Sequence, residues 1–231
     1  MERAPGGFDR YSDSYRDAIE DSISFCGADL DFFTRVKAEM LLELSELAGP
    51  PSELSFLDVG CGIGETDRLL EGRVAALSGV DVSSGMVERA RESNGWAEYR
   101  TYAEGDPLPF GDASHDVCFA ICVFHHVPRS QRRALVEEMK RVCRPGGVLA
   151  VFEHNPWNPL TRRAVRGCEF DADAELLTRR ETTRLLADAD LAPHGRYIEF
   201  FPRENRLLRR IEAGLGWLPL GAQYVVFAHG P

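Results

Sequence analysis

Leu57-Asp58-Val59-Gly60-Cys61-Gly62-Ile63-Gly64-Glu65 is the stretch that decides the fold: a short apolar strand running into three glycines at alternate positions. Glycine lets backbone N–H groups approach a ligand closely and adopts conformations closed to other residues. A GxGxxG dinucleotide fingerprint would place its third glycine at position 65, which is Glu65. A carboxylate so near a helix N-terminus repels a pyrophosphate and tolerates a zwitterion or a sulfonium, which argues against a nicotinamide dinucleotide. Asp81 stands 21 residues beyond Gly60, directly after a second apolar stretch, 74–80. An acid there accepts both hydroxyl hydrogens of a ribose, so loop and acid together imply an adenosine-type ligand. Taken singly, each has a structural reading: a turn that needs glycine, and an Asp that caps the helix after Ser83-Ser84.

Outward from this loop the pattern alternates. Strand 56–59 and its turn lead into a helix to Leu70, and strand 74–80 into a helix over 85–91 with Met86, Val87 and Ala90 inward. A short strand over 99–102, an apolar strand over 117–123 and a helix over 130–143 follow, the last carrying Leu135, Val136, Met139, Val142 and Cys143 on one face. Arg144-Pro145-Gly146-Gly147 stops that helix, and 148–152 is again apolar on both faces, as a parallel strand covered by helices should be. This is βαβ rhythm in a mainly parallel, doubly wound α/β sheet. Upstream, Phe33, Val36, Met40, Leu44 and Leu47 form a helical stripe ended by Gly49-Pro50-Pro51, and 8–26 reads as a mobile N-terminal helix. Downstream, two Asn-Pro steps in 155–159 force a turn and stop the helix expected there. A capping box, Thr178-x-x-Glu181, opens a helix whose core face is Leu185, Leu186 and Ala189. Strand 195–201, a short amphipathic helix with Leu207, Leu208 and Ile211, and strand 223–228 complete the chain, the two late strands suggesting an antiparallel pair.

The 231 residues are 44% hydrophobic and 28% charged, the composition of one soluble globular domain. A net charge of -10 gives no footprint for nucleic acid or an anionic membrane, which leaves a small molecule as the expected partner. Residues 1–7 open no apolar secretory segment, and the longest apolar run, 117–124, is too short to span a bilayer, so a cytoplasmic location is expected. The six cysteines form no CxxC pair, which fits a reducing compartment. Cys118, Cys122, His125 and His126 are zinc-ligand types without a tetrahedral spacing pattern, so no metal is expected.

The glycine loop and Asp81 resemble the first two motifs of class I S-adenosylmethionine-dependent methyltransferases, and the likeness continues. Asp106-Pro107-Leu108-Pro109-Phe110 with His115-Asp116-Val117 looks like the family's "LPF…FDxV" segment, His115 replacing the usual Phe. Arg141-Val142-Cys143-Arg144-Pro145-Gly146-Gly147-Val148-Leu149 looks like its "L(K/R)PGG" motif. The resemblance covers about residues 55–152. It implies a Rossmann-like seven-stranded sheet of order 3-2-1-4-5-7-6 with strand 7 antiparallel. It also implies S-adenosyl-L-methionine as cofactor, with Asp58, Gly60, Cys61, Gly62 and Gly64 at its methionine end, Asp81 on the ribose and Val82 against adenine. Glu104 with Gly105 is expected at the adenine amino group, Asp106 being the competing choice, and Cys122 at the cofactor's edge. The expected division is a helical lid (1–50), a cofactor-binding half (51–152), and an acceptor segment that completes the sheet (153–231). A homodimer is compatible with it.

Methyl transfer from a sulfonium needs an aligned nucleophile and the exclusion of water, with a base only for acceptors that must lose a proton. His125 and His126 leave strand four at the carboxyl edge of the sheet, where doubly wound folds bind ligands, and His126 is the preferred base. Packing at the start of the next helix is the alternative for either. Glu153-His154-Asn155-Pro156-Trp157-Asn158-Pro159-Leu160-Thr161 brings His154 to the same edge. This segment resembles a subgroup of small-molecule methyltransferases carrying "EHNPxNPxT" and a "CxFDxDA" echo, here Cys168 to Ala174, in sugar, polysaccharide and natural-product settings. Tyr11, Tyr15, Phe25, Phe33 and Trp157 are candidate lid aromatics. Arg162, Arg163, Arg166, Arg179, Arg180 and Arg184 either bind an acidic acceptor or form solvated faces. The expected activity is O-, N- or C-methylation of a small molecule. Its rivals are a fold relative that binds the cofactor for another purpose and an NAD-linked oxidoreductase.

Overall fold

In a computed structural model describing residues 8–27, 29–171, 173–203 and 206–230, the apolar segments pair into one seven-stranded sheet. For Arg206, Arg209 and Ala213 only the backbone is described. The order is β3-β2-β1-β4-β5-β7-β6, with β1 Ser55–Val59, β2 Ala76–Asp81, β3 Glu98–Thr101, β4 His115–Ile121, β5 Cys143–His154, β6 His194–Ile198 and β7 Gln223–His229. β1 pairs in parallel with β2 and β4, and β4 with β5; β7 runs antiparallel to both neighbours. Sheet order and strand direction are those the resemblance implied. The central strands β4 and β5 are buried on both faces, because helices cover each side.

The helices are α1 Tyr15–Ile23, α2 Leu30–Ser45, α3 Ser84–Ser93, α4 Arg129–Val142, α5 Pro159–Gly167, α6 Arg179–Ala187 and α7 Arg206–Leu215. α3 buries Met86, Val87 and Ala90 as its spacing predicts, and Ser83, not Asp81, caps it by accepting the Met86 N–H. The capping box at α6 is present in full: Thr178 accepts from Glu181 N–H while Glu181 accepts from Thr178 N–H. His115, standing where the resembled motif has Phe, packs edge-on against Phe110 at 4.8 Å, and burial with the nearby Arg144 charge lowers its pKa to about 4. A neutral ring thus fills an aromatic's place.

Three expectations are corrected. The chain after the glycine loop forms turns and one 3-10 turn, Asp67–Leu69, in place of a helix to Leu70. The Asp67 carboxylate is fully buried, accepting the Tyr99 hydroxyl at 2.8 Å, and the Gly64 carbonyl accepts from Asn94 Nδ2 at 3.1 Å, so the segment is pinned onto α3 and β3. In α2 the buried residues are Leu30, Phe32, Thr34, Lys37, Ala38, Leu41, Leu42, Leu44 and Ser45; of the expected stripe Leu44 is buried, Phe33, Val36 and Met40 are half-buried, and Leu47 is 49% exposed. The apolar stripe was partly out of phase because three polar residues, Thr34, Lys37 and Ser45, belong to the inner face. Finally, the second Asn-Pro step starts a helix: Asn158 Oδ1 accepts the Leu160 and Thr161 N–H groups, with Pro159 in the first turn of α5. Only the first step acts as a stop, its buried Asn155 donating to the carbonyls of Pro219 and Gly221.

The fully buried Tyr224 hydroxyl bonds the Leu177 carbonyl at 2.9 Å and the Thr182 hydroxyl at 2.7 Å, locking α6 onto β7. Tyr224→Phe strands both partners in a dry core, so chemical denaturation should show a loss of about 1–3 kcal/mol.

Candidate functional site

The carboxyl ends of β1, β4 and β5, the start of β7 and the residue after β6 open into one cavity of about 230 Å³. α1, α2 and α5 roof it. Of the sequence-predicted residues, Asp58, Gly60, Cys61, Cys122, His125, His126 and His154 line this cavity together. Gly62 lies at its rim, its missing Cβ position 3.9 Å from the Tyr15 ring and hydroxyl. Asp81 adjoins from the β2 end: Oδ2 accepts Gly62 N–H at 2.9 Å and Oδ1 accepts Ser83 N–H at 2.9 Å. Val82, 40% exposed, and the exposed Glu104 and Gly105 stand on the open side beyond Asp81 and do not line the cavity.

The three loop glycines do different work. A Cβ on Gly60 would lie 2.4 Å from a Val123 methyl, and one on Gly64 would lie 2.4 Å from Asn94 Nδ2, so both are demanded by close packing. Gly62, at φ +52, would set a Cβ in no more than ordinary contact with Tyr15, and its N–H already points to the Asp81 carboxylate. Asp58 is buried with Oδ1 lacking any partner, and burial together with the neighbouring Asp67 raises its pKa well above the usual carboxylate range. Glu65, expected to act as a free repulsive charge, is instead paired: Arg16 reaches both its oxygens at 2.9 and 3.0 Å, and Arg68 reaches Oε2 at 3.4 Å. Arg16 also binds Asp31 at 2.9 Å. Glu65 therefore anchors α1 over the loop.

On the β4–β5 side a chain of charges runs into the cavity. Glu153, with no exposed surface, accepts His125 Nδ1–H at 2.6 Å. Asp171 Oδ1, delivered by the turn after α5, lies 3.5 Å from His125 Nε2 and 3.2 Å from His126 Nε2. Burial alone would lower the His125 pKa, but Glu153 and Asp171 outweigh it and lift the value to about 9. His125 is therefore a structural imidazolium, not a free base. Burial, reinforced by the His125 charge, drops His154 to about 4, so its ring is neutral. Glu175 N–H donates to the His125 carbonyl and Arg132 donates to the Glu175 carbonyl, which fixes the segment carrying Asp171.

Tyr15 stacks on Phe170 with centroids 4.9 Å apart, and Tyr15, Phe25 and Phe33 line the cavity. Tyr11 touches Phe170 from outside, and Trp157 is 66% exposed. None of Arg162, Arg163, Arg166, Arg179, Arg180 and Arg184 lines the cavity. Arg163 lies over Phe25, and Arg179 binds the Gly195 carbonyl over the Tyr197 ring. The sequence reading missed Lys37, Asp171, Glu199 and Gln223. Asp171 lies in the quoted "CxFDxDA" echo, whereas Lys37 and Glu199 carry no sequence signal. Cys122 and Glu199 adopt the left-handed region at φ 57 and 61, backbone strain of the kind that gathers at functional sites.

Residues 57–151 match the family model described as "Methyltransferase domain". A 27-O-demethylrifamycin SV methyltransferase from Amycolatopsis mediterranei is 37% identical over 102 residues, 42% of this chain and 37% of that relative. The chain thus spans little more than a third of that relative's length. A structure described as a SAM-dependent methyltransferase, possible histamine N-methyltransferase, from Thermotoga maritima superposes with a TM-score of 0.68 at 18% identity, over 97% of this chain and 99% of that one. Geranyl diphosphate C-methyltransferase from Streptomyces coelicolor, in complex with Mg2+, geranyl diphosphate and S-adenosyl-L-homocysteine, gives 0.60 at 18% identity over 85% and 78%. The likeness to these solved structures is one of fold, and the sheet order is part of it.

Among the described residues no helix is long and apolar enough to cross a membrane.

Glu199 is 5% exposed, and burial raises its pKa to about 7 against the opposing Lys37 charge. The folded chain therefore holds a proton that the unfolded chain has lost between about pH 4.5 and 7, and stability falls as pH rises through that window. Glu199→Gln should match the parent at pH 5 and exceed it at pH 8 by on the order of 2 kcal/mol in thermal unfolding; a deficit at pH 8 would refute the buried, raised carboxyl.

Proposed function

We propose that this chain is a methyltransferase that transfers the methyl of S-adenosylmethionine to a small molecule enclosed under α1, α2 and α5. The observation that carries this is the continuity of the cavity: the glycine loop with its unpartnered Asp58 oxygen at one end, and the His126–Asp171 contact at the other. Asp58, an open Gly62 and the Asp81 carboxylate are the donor set that an amino-acid-bearing nucleoside fits. Asp58, Gly60, Cys61, Gly62 and Gly64 would hold the methionine end, with Cys122 beside it. Asp81 would take the ribose, Val82 the adenine face, and Glu104 with Gly105 the adenine amino group. The bound cofactor supplies an activated methyl on a sulfonium.

The chain's own residues do the rest. Tyr15, Phe170 and the apolar face of α1 exclude water from the path of transfer. His126 takes the acceptor's proton, and Asp171, held below the usual carboxylate range by the adjoining histidines despite its burial, orients that ring and stabilises its charged form. His125 holds Asp171 in place, and His154 offers a neutral ring beside it. The walls are mostly apolar, with Ile19, Ile23, Leu160 and Val165 among them, which favours a compact apolar acceptor bearing one ionisable hydroxyl or amine. The relatives named for rifamycin and geranyl diphosphate methylation, and the "EHNPxNPxT" segment, support a natural-product or sugar-type acceptor. The divisions 1–50, 51–152 and 153–231 follow as lid, cofactor half and acceptor segment; residues 1–7 and Ala28 of that lid lie outside the described residues.

Calorimetry should show S-adenosylhomocysteine binding that weakens at least tenfold in Asp81→Ala. The exposed position of Val82 makes Val82→Glu a second test that leaves folding intact, with the same tenfold loss expected. Binding unchanged in both overturns the cofactor site. With an acceptor found by a screen for one added methyl mass, His126→Ala should lower kcat by roughly 10²–10⁴-fold with little change in cofactor affinity.

A further inference from the structure

Beyond the methyl-transfer reading, His125, His154 and Asp171 have a geometry that the cofactor does not use. Each offers one ligand atom, and the three atoms lie within 4.8 Å of one another, at the acceptor end of the cavity. We propose that these three residues bind a divalent transition-metal ion, which displaces to solvent the Nε2 proton that His125 otherwise carries, with the cavity supplying its open coordination position.

Four features support the site. First, the donor set of two imidazoles and one carboxylate is one that zinc, cobalt, manganese and iron(II) accept, whereas magnesium and calcium favour oxygen alone. Second, the spacing suits it: a tetrahedral ion with bonds of about 2.0–2.1 Å holds its ligands about 3.3 Å apart, and Asp171 Oδ1 stands 3.5 Å from His125 Nε2. Third, His125 is braced at Nδ1 by the Glu153 carboxylate at 2.6 Å. A carboxylate behind a histidine, fixing the nitrogen left for the metal, is the recurrent support of such ligands. Fourth, Asp171 Oδ1 is buried and faces two ring nitrogens, His125 Nε2 at 3.5 Å and His126 Nε2 at 3.2 Å.

Three protein ligands leave a fourth position facing the cavity, the arrangement of sites that act on a ligand and not of closed structural ones. An acceptor hydroxyl there would be oriented by the ion and would release its proton more readily, to His126 beside it. That use rests on the methyltransferase reading; the binding of the ion does not.

The full chain, stripped with a chelator and free of any histidine tag, is dialysed to equilibrium against Zn2+ and, separately, Co2+, and its metal content measured. One ion per chain is expected, with His154→Ala and Asp171→Asn each holding less than about a tenth of an equivalent. Glu153→Gln should bind 10–100-fold more weakly. The Co2+ form should show visible absorption that vanishes in His154→Ala. His194→Ala, remote from the site, should keep the full equivalent. S-adenosylhomocysteine calorimetry on every variant reports folding, since none of the substitutions touches the glycine loop or Asp81. Stoichiometry well below one in the parent, or an equivalent retained in both ligand variants, overturns the site. Metal binding without S-adenosylhomocysteine binding would overturn the methyltransferase reading and leave the site standing.

Discussion

A carboxylate with no exposed surface, Glu153 at the end of the central strand β5, sets the conditions for the whole acceptor side. An uncompensated buried charge is prohibitive, so a cation must meet it, and His125 does so at 2.6 Å. That pairing fixes the imidazole's direction, which in turn places its second nitrogen toward Asp171. Asp171 then needs its own support, supplied by His126 and by the segment that Arg132 and Glu175 hold against His125. One buried acid thus dictates the orientation of a whole wall. Removing it would disturb strand end, turn and inter-helix segment together.

The other half of the site is organised by the backbone. Gly60 and Gly64 let β1 and the following loop pack closely against Val123 and Asn94, while Gly62 meets only the Tyr15 ring at ordinary contact distance. Asp81 stabilises that loop by accepting the Gly62 N–H, so a side chain read as a ligand holder also shapes the turn. The structural reading of the glycines is therefore partly correct, whereas the acid shapes the loop and leaves the capping of α3 to Ser83.

Most of the sheet was legible because parallel strands buried on both faces are continuous apolar runs, and β4 and β5 are such runs. Its order came from the likeness of four motifs and not from periodicity. What failed is instructive. The inner face of α2 carries Thr34 and Lys37, which hydropathy assigns to solvent, and the turns after Gly64 exist because Asp67 is satisfied by Tyr99, a partner 32 residues away. Asn-Pro dictates a turn, yet whether that turn ends or begins a helix depends on which N–H groups the Asn oxygen meets. The histidines were found at the sheet edge by topology; the charge of His125 was not, since it arises from Glu153 and Asp171 converging from distant segments. Lys37 and Glu199 meet the cavity from elements more than a hundred residues apart, and local pattern carries no trace of such meetings.

The ion pairs of Arg16 with Glu65 and Asp31 are partly exposed, unlike the sealed Glu153–His125 contact. Exposed charges are screened by dissolved salt over about 8 Å at 0.15 M ionic strength, while sealed ones scarcely feel it. The hold of α1 on the glycine loop is therefore adjustable by the electrolyte, and the histidine wall is not. Entry to the cavity and the arrangement waiting inside it respond to different variables of the solution, so conditions that loosen the roof leave the interior ready.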